Sequence, residues 1–223
     1  LPARARTSIH CSVTWRIALF DLDGTISDPF EGIYKSVNHA LTSFGHEPAT
    51  PSQVRTMIGP PLTEIFESIL GPVDESKMTG LIDAYRDRYA VTGYAENIVY
   101  EEMPGVIGAL HAGGYRMGVC TSKRADYAEK IIAMFGLGDY FDFVDGGDVH
   151  IKKTTQIERI VANGIDAAES VMIGDRAVDI EAAKQNDVAS IGVVWGFGDT
   201  AELDSANPDY IVHSPEELLE LLT

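Results

Sequence analysis

The chain has 223 residues, 45% of them hydrophobic, enough for a sizeable interior, and 34 acidic side chains against 17 lysines and arginines give a formal charge of -17. That sign repels polyphosphate backbones and anionic lipid, so nucleic acid and membrane surfaces are poor partners. Two cysteines, Cys11 and Cys120, make neither a disulfide framework nor a zinc spacing, and no stretch approaches a membrane span, so a reducing, cytoplasmic setting is expected.

Residues 1–14 carry basic side chains without an apolar segment of signal-peptide length, and are set aside as a leader with no part in the site. The first apolar run, "IALF" at 17–20, suits a strand buried on both faces. From about Asp28 to about Met103 no strand is expected. "PFEGIYKSVNHALTSFG" reads as a helix capped by Asp28, with Pro29 at its first position and Gly45 at its end. Helical segments follow in "PSQVRTMI" up to Gly59, in "PLTEIFESIL" up to Gly71, and in "ESKMTGLIDAYRDRYAVTG". Further apolar runs then return at 117–120, 171–173, 191–194 and, more weakly, 210–212. Helical periods lie between most of them, at Ala125 to Phe135, Thr154 to Ala162 and Ala177 to Gln185. Strands alternating with helices predict an α/β fold with a doubly wound parallel sheet. Its core domain is expected at 15–27 and 102–223, with a small all-helical cap domain inserted after the first strand at 28–101.

In open α/β sheets, ligands bind beyond the carboxyl ends of the strands. There the first run leads into Asp21 and Asp23, the second into Thr121 and Ser122, and the third into Gly174 and Asp175, with Asp179 four residues on. Lys152 and Lys153 open the helix before the third of these strands. Carboxylates, hydroxyls and an ammonium brought to one crevice suit a hard cation together with a phosphoryl group. Taken singly, Asp175 and Thr121 also read as helix caps, and either lysine as a solvated charge. A calcium loop starting at Asp21 fails, because Ile26 and Gly32 stand where glycine and glutamate are needed.

"DLDGT" at 21–25, "TS" at 121–122, the lysine at 152 or 153 and "GDRAVD" at 174–179 resemble the four ordered motifs of the haloacid dehalogenase superfamily, across residues 16–195. The helical insertion resembles the cap of the subgroup that holds phosphoglycolate phosphatases, nucleotidases and β-phosphoglucomutase. Within it, "DLDGTISDPFEGI" looks most like the phosphoglycolate phosphatase branch.

The resemblance implies a Rossmann-like core and a magnesium-dependent phosphomonoesterase that forms an aspartyl phosphate. Asp21 would be the nucleophile and Asp23 the general acid and base, with repulsion from its neighbour keeping Asp23 protonated. Thr121, Ser122 and the lysine would bind phosphoryl oxygens; Lys153 is favoured because Ile157 and Ile160 continue a stripe behind it, and Lys152 stays open. Mg2+ would be held by Asp21, Asp175 and the Asp23 carbonyl, with Asp179 supporting that shell. Leu22, Ser122, Lys152, Arg176 and Gly59 complete the substrate-binding set, Gly59 through the loop "TMIGPPLTE" at 56–64. Arg55 and Arg86 are possible contacts for a substrate carboxylate. The partner implied is a small-molecule phosphate ester, not nucleic acid or membrane, acted on by a monomer or homodimer. A phosphomutase or a non-catalytic phosphate-ligand sensor are the alternatives, and Asp23 argues against a dehalogenase, whose halide needs no proton.

Overall fold

The computed structural model describes residues 15–147 and 151–223; the leader at 1–14, with Cys11, lies outside them. Strand β1 (Ile17–Phe20) is apolar throughout and wholly buried. Its side chains alternate between two cores, Ala18 and Phe20 facing one and Ile17 and Leu19 the other. Each full burial of a side chain such as Phe20 or Leu19 contributes about 1.5–3 kcal/mol.

After β1 the chain passes through a short strand β2 (Ser27–Asp28) into helices α1 (Phe30–Ser43), α2 (Pro51–Arg55), α3 (Leu62–Leu70) and α4 (Glu75–Val91). It returns through β3 (Ile98–Val99), which pairs antiparallel with β2. This two-stranded ribbon corrects the expectation of no strand between 28 and 103; two residues are too few to show a period of two. The four helices gather a core of their own, in which Val37, Leu41, Val54, Phe66 and Leu81 are fully buried. Helix α1 starts one residue later than expected. Pro29 is its N-cap, and the Asp28 carboxylate accepts from the Phe30 amide at 2.8 Å. Helix α2 stops at Arg55, well short of Gly59. Thr50 and Gln53 close a reciprocal cap at its start, and a Gly-Pro-Pro turn follows before α3.

The rest of the chain alternates: α5 (Met103–Ala112), β4 (Arg116–Arg124), α6 (Ala125–Met134), β5 (Phe143–Gly147), α7 (Lys153–Ala162), β6 (Ser170–Gly174), α8 (Ala177–Gln185), β7 (Ala189–Val193), α9 (Thr200–Ala206), β8 (Tyr210–Val212) and α10 (Pro215–Leu222). Six strands form one parallel sheet in the order β5-β4-β1-β6-β7-β8. Residues of α5, α6 and α10 pack on one face and residues of α7 and α8 on the other, as a doubly wound sheet requires. Strands depart from β1 in both directions, so the crevice for a ligand lies beyond its carboxyl end.

Helices α5, α9 and α10 and strand β5 were not expected from sequence. Helix α5 carries glycines that weaken a helix, yet Met103, Val106, Ile107 and Leu110 repeat on one buried face and override them. Strand β5 reads as a turn because Asp-Gly-Gly follows two apolar residues; as an edge strand it needs only partial burial.

Candidate active site

Asp21 follows β1 directly. Its amide donates to the Ile173 carbonyl of β6 at 2.9 Å, and its own Oδ1 accepts from the Leu22 amide at 2.8 Å. The Leu22 side chain turns away into the core, so its side chain cannot touch substrate; only its backbone is left for that. The chain then doubles back, with the Ile26 and Ser27 amides both donating to the Leu22 carbonyl at 3.0 Å. Gly24 sits at φ +84 within this turn, where a Cβ would collide with the Asp175 carboxylate.

Asp175 follows β6, Asp179 lies in the first turn of α8, and both are fully buried. Lys153, the first residue of α7, is buried too. Its Nζ stands 3.1 Å from Asp21 Oδ1 and makes a close ion pair with Asp179 Oδ1. Carboxylate oxygens of Asp21, Asp175 and Asp179 lie within 4.8 Å of one another. Asp175 Oδ2 accepts from the Phe197 amide at 2.7 Å, whereas its buried Oδ1 has no partner among the described residues. Hard oxygens this close, one of them unsatisfied, fit a divalent cation such as Mg2+.

The electrostatics of the metal-free cluster agree with that fit. Burial, reinforced by Asp179 and Asp21, pushes Asp175 up to about 8. Burial also pushes Asp179 up to about 6, with Lys153 opposing. Burial disfavours the Lys153 ammonium, but Asp179 and Asp21 outweigh it and raise its pKa.

Asp23 departs from expectation in its reason. Its pKa is raised mainly by burial, with repulsion from Asp21 a lesser contribution, and Lys123 pulls it the other way. Lys123 Nζ is 2.7 Å from Asp23 Oδ2, so the Asp23 side chain pairs with a lysine and stands outside the carboxylate cluster.

Strand β4 runs on through Arg124, so Thr121 and Ser122 belong to the strand. Thr121 is buried, and its Oγ1 accepts from the Lys123 amide at 3.3 Å instead of capping α6, whose N-cap Arg124 makes no side-chain cap bond. Ser122 is exposed, and so is Lys152 at the N-cap of α7; of the two lysines, Lys153 is the one in the cluster.

Arg176 spans two units: Nε donates to Glu202 Oε1 at 2.9 Å, and Nη1 donates to the Ile58 carbonyl of the α2–α3 loop. Gly59 comes next at φ +117, where a Cβ would lie 2.8 Å from Arg176 Nη1. Arg55 lies 5.3 Å from both the Phe30 and Phe197 ring centres. Arg86, on α4, is half-exposed and enters none of these contacts among the described residues.

Sequence reasoning did not place Lys123 in the site and missed the loop "WGFG" at 195–198. A Cβ on Gly196 would strike the Asp175 carboxylate and one on Gly198 the Asp175 carbonyl. Trp195 Nε1 donates to the Thr25 carbonyl at 3.1 Å, holding this loop against the turn after β1. Two glycines around an aromatic after an apolar run were the available signal.

Comparison with known proteins agrees with this geometry. The family model for haloacid dehalogenase-like hydrolases matches residues 18–193. A 5'-nucleotidase of Pseudomonas aeruginosa is 37% identical over 196 residues, covering 86% of this chain and 88% of the relative. A phosphoglycolate phosphatase of Aquifex aeolicus is 27% identical, covering 93% and 96%. The crystal structure of "a predicted phosphatase from Clostridium acetobutylicum" superposes with a TM-score of 0.86 at 35% identity, covering 93% of this chain and 98% of that one. Among the described residues no helix is long and apolar enough to cross a membrane. The chain belongs to the haloacid dehalogenase-like hydrolase family and is one of its phosphatases, an enzyme acting on small phosphate esters.

Proposed function

We propose a magnesium-dependent phosphomonoesterase in which Asp21 attacks phosphorus to give an aspartyl phosphate. The observation that carries this reading is the buried convergence of Asp21, Lys153, Asp175 and Asp179 at the carboxyl edge of the sheet, with Asp175 Oδ1 left without a partner among the described residues. Asp21, Asp175 and the Asp23 carbonyl would hold Mg2+, with Asp179 beside them. When bound, the cation neutralises charge on the phosphoryl oxygens and favours in-line attack.

Lys153 orients Asp21 and faces the transferring phosphoryl group, whose oxygens Thr121 and Ser122 also receive. Asp23 gives its proton to the departing alkoxide and later takes one from the water that opens the aspartyl phosphate. Residues 28–101 act as a cap over a core of 15–27 and 102–223, excluding bulk water while the ester is bound. The names of the relatives point to phosphoglycolate or a nucleoside monophosphate as the substrate class.

Hydrolysis of p-nitrophenyl phosphate with magnesium tests the reading, together with a trapped acyl phosphate on Asp21 seen by mass spectrometry. Turnover lost in Asp21→Asn supports it; an unchanged rate in that variant removes Asp21 as the nucleophile.

A further inference from the structure

Beyond Thr121, β4 carries Lys123 into the seam between the sheet and α4, and only 8% of that side chain is exposed. Its ammonium reaches two units at once. It stands 2.7 Å from Asp23 Oδ2 on the turn after β1 and donates to the Tyr89 hydroxyl of α4 at 2.9 Å, with the Tyr89 ring centre 5.1 Å away. Tyr89 is itself immobilised, stacked on Tyr85 at 5.4 Å and edge-on to Tyr127 of α6 at 5.3 Å. An apolar pair would join two packed surfaces at least as well as a buried ammonium, whose desolvation is costly. What the ammonium adds is direction. It occupies one carboxyl oxygen of Asp23 and leaves the other, Oδ1, buried and without a partner among the described residues.

We propose that Lys123 is a positioning residue that aims the Asp23 carboxyl at the leaving group, and does so while Tyr89 holds the helical unit against the sheet. The inference rests on the phosphomonoesterase reading. With Oδ2 fixed by Lys123, Oδ1 carries the proton. As the bond from Asp21 to phosphorus forms and the ester P–O bond breaks, that proton passes to the departing oxygen. In the second half, water gives a proton back to Asp23 while its oxygen takes the phosphorus and frees Asp21. Separation of the helical unit from the sheet removes the Tyr89 anchor, so the acid is in register only in the closed arrangement.

Two esters separate positioning from packing. Phenyl phosphate needs a proton on its leaving group and dinitrophenyl phosphate does not. The ratio kcat/KM covers steps up to the first phosphoryl transfer and omits the second half-reaction. Lys123→Met is expected to lower kcat/KM about a hundredfold for phenyl phosphate and less than about threefold for dinitrophenyl phosphate, the span of a general-acid contribution. Tyr89→Phe, which keeps the ring, is expected to lose about tenfold on phenyl phosphate with the same preference. Equal losses on both esters overturn the inference. If circular dichroism shows Lys123→Met unfolded, Tyr89→Phe decides alone, and a loss blind to the leaving group, or no loss, overturns it. Wild-type protein that turns over neither ester with magnesium overturns the phosphomonoesterase reading, and the role of Lys123 with it.

Discussion

Lys153 Nζ stands 3.1 Å from Asp21 Oδ1 and also grips Asp179 Oδ1, so one ammonium at the start of α7 joins the carboxylate that ends β1 to one in the first turn of α8. Each of those carboxylates would otherwise face another across a buried, low-dielectric space, where like charges repel strongly.

Replacing that ammonium is therefore expected to cost both fold and activity. Lys153→Met leaves buried carboxylates unpaired, a loss of about 3–5 kcal/mol in metal-free protein. Turnover of an aryl phosphate should fall by at least about a hundredfold, the range for removing one group that stabilises transition-state charge. Lys152→Met, at an exposed position, is expected to stay close to wild type. Urea denaturation and steady-state kinetics on the two variants check this, and the reverse order would hand the role to Lys152.

Binding of magnesium to the acidic cluster is expected to release protons. In metal-free protein Asp175 titrates at about 8 and Asp179 at about 6, each raised chiefly by burial above the ordinary value of 3.8. The folded state thus keeps protons that the unfolded chain has released. That stability is fully present below about 4 and is lost as pH rises through about 8. A cation must displace those protons, so magnesium should raise Tm more near pH 8 than near pH 6. Asp175→Asn should flatten the pH dependence and abolish the magnesium shift. Thermal melts with chelator and with magnesium at several pH values give the comparison, and a shift of equal size at both ends contradicts it.

The loop at 195–198 makes a separate mechanical claim. A methyl on Gly198 would fall on the Asp175 carbonyl, backbone against backbone, with no flexible side chain to give way. Gly198→Ala is expected to cost about 1–3 kcal/mol and to displace Asp175, weakening magnesium binding. Gly138→Ala is the control, since no atom of the described residues lies within 4 Å of the added methyl. Isothermal titration with magnesium on both variants reads the difference; equal affinities would show that the loop does not support Asp175.

The strand-end carboxylates were legible in the sequence because each follows an apolar run, and a parallel sheet delivers the ends of such runs to one edge. Lys153 over Lys152 was legible from the stripe at Ile157 and Ile160 alone. What stayed hidden depended on tertiary contact. Strand β5 is defined by Phe143 lying over Gly118, which no local pattern announces. The pairing of Lys123 with Asp23 joins residues a hundred positions apart, and without it repulsion from Asp21 looked like the main influence on the acid. The ribbon of β2 and β3 is too short to carry periodicity, yet it is where the helical unit is attached.

Arg176 gives the last prediction. It follows Asp175, is held by Glu202 at 2.9 Å, and donates to the Ile58 carbonyl in the loop between α2 and α3. It is thus a tie between the helical unit and the residue beside the acidic cluster. Hydrogen bonds from a charged donor contribute about 1.5–3 kcal/mol, so losing this one should loosen closure and raise KM by about tenfold or more, with kcat changed less. Gly59→Ala attacks the same tie from the other side, because its Cβ would stand 2.8 Å from Arg176 Nη1 at a φ of +117 that alanine resists. Arg176→Met and Gly59→Ala are therefore expected to share one kinetic signature, and the double variant to be little worse than either alone, since both remove one contact. Additive losses in that cycle would mean that Arg176 and Gly59 act on the ester independently.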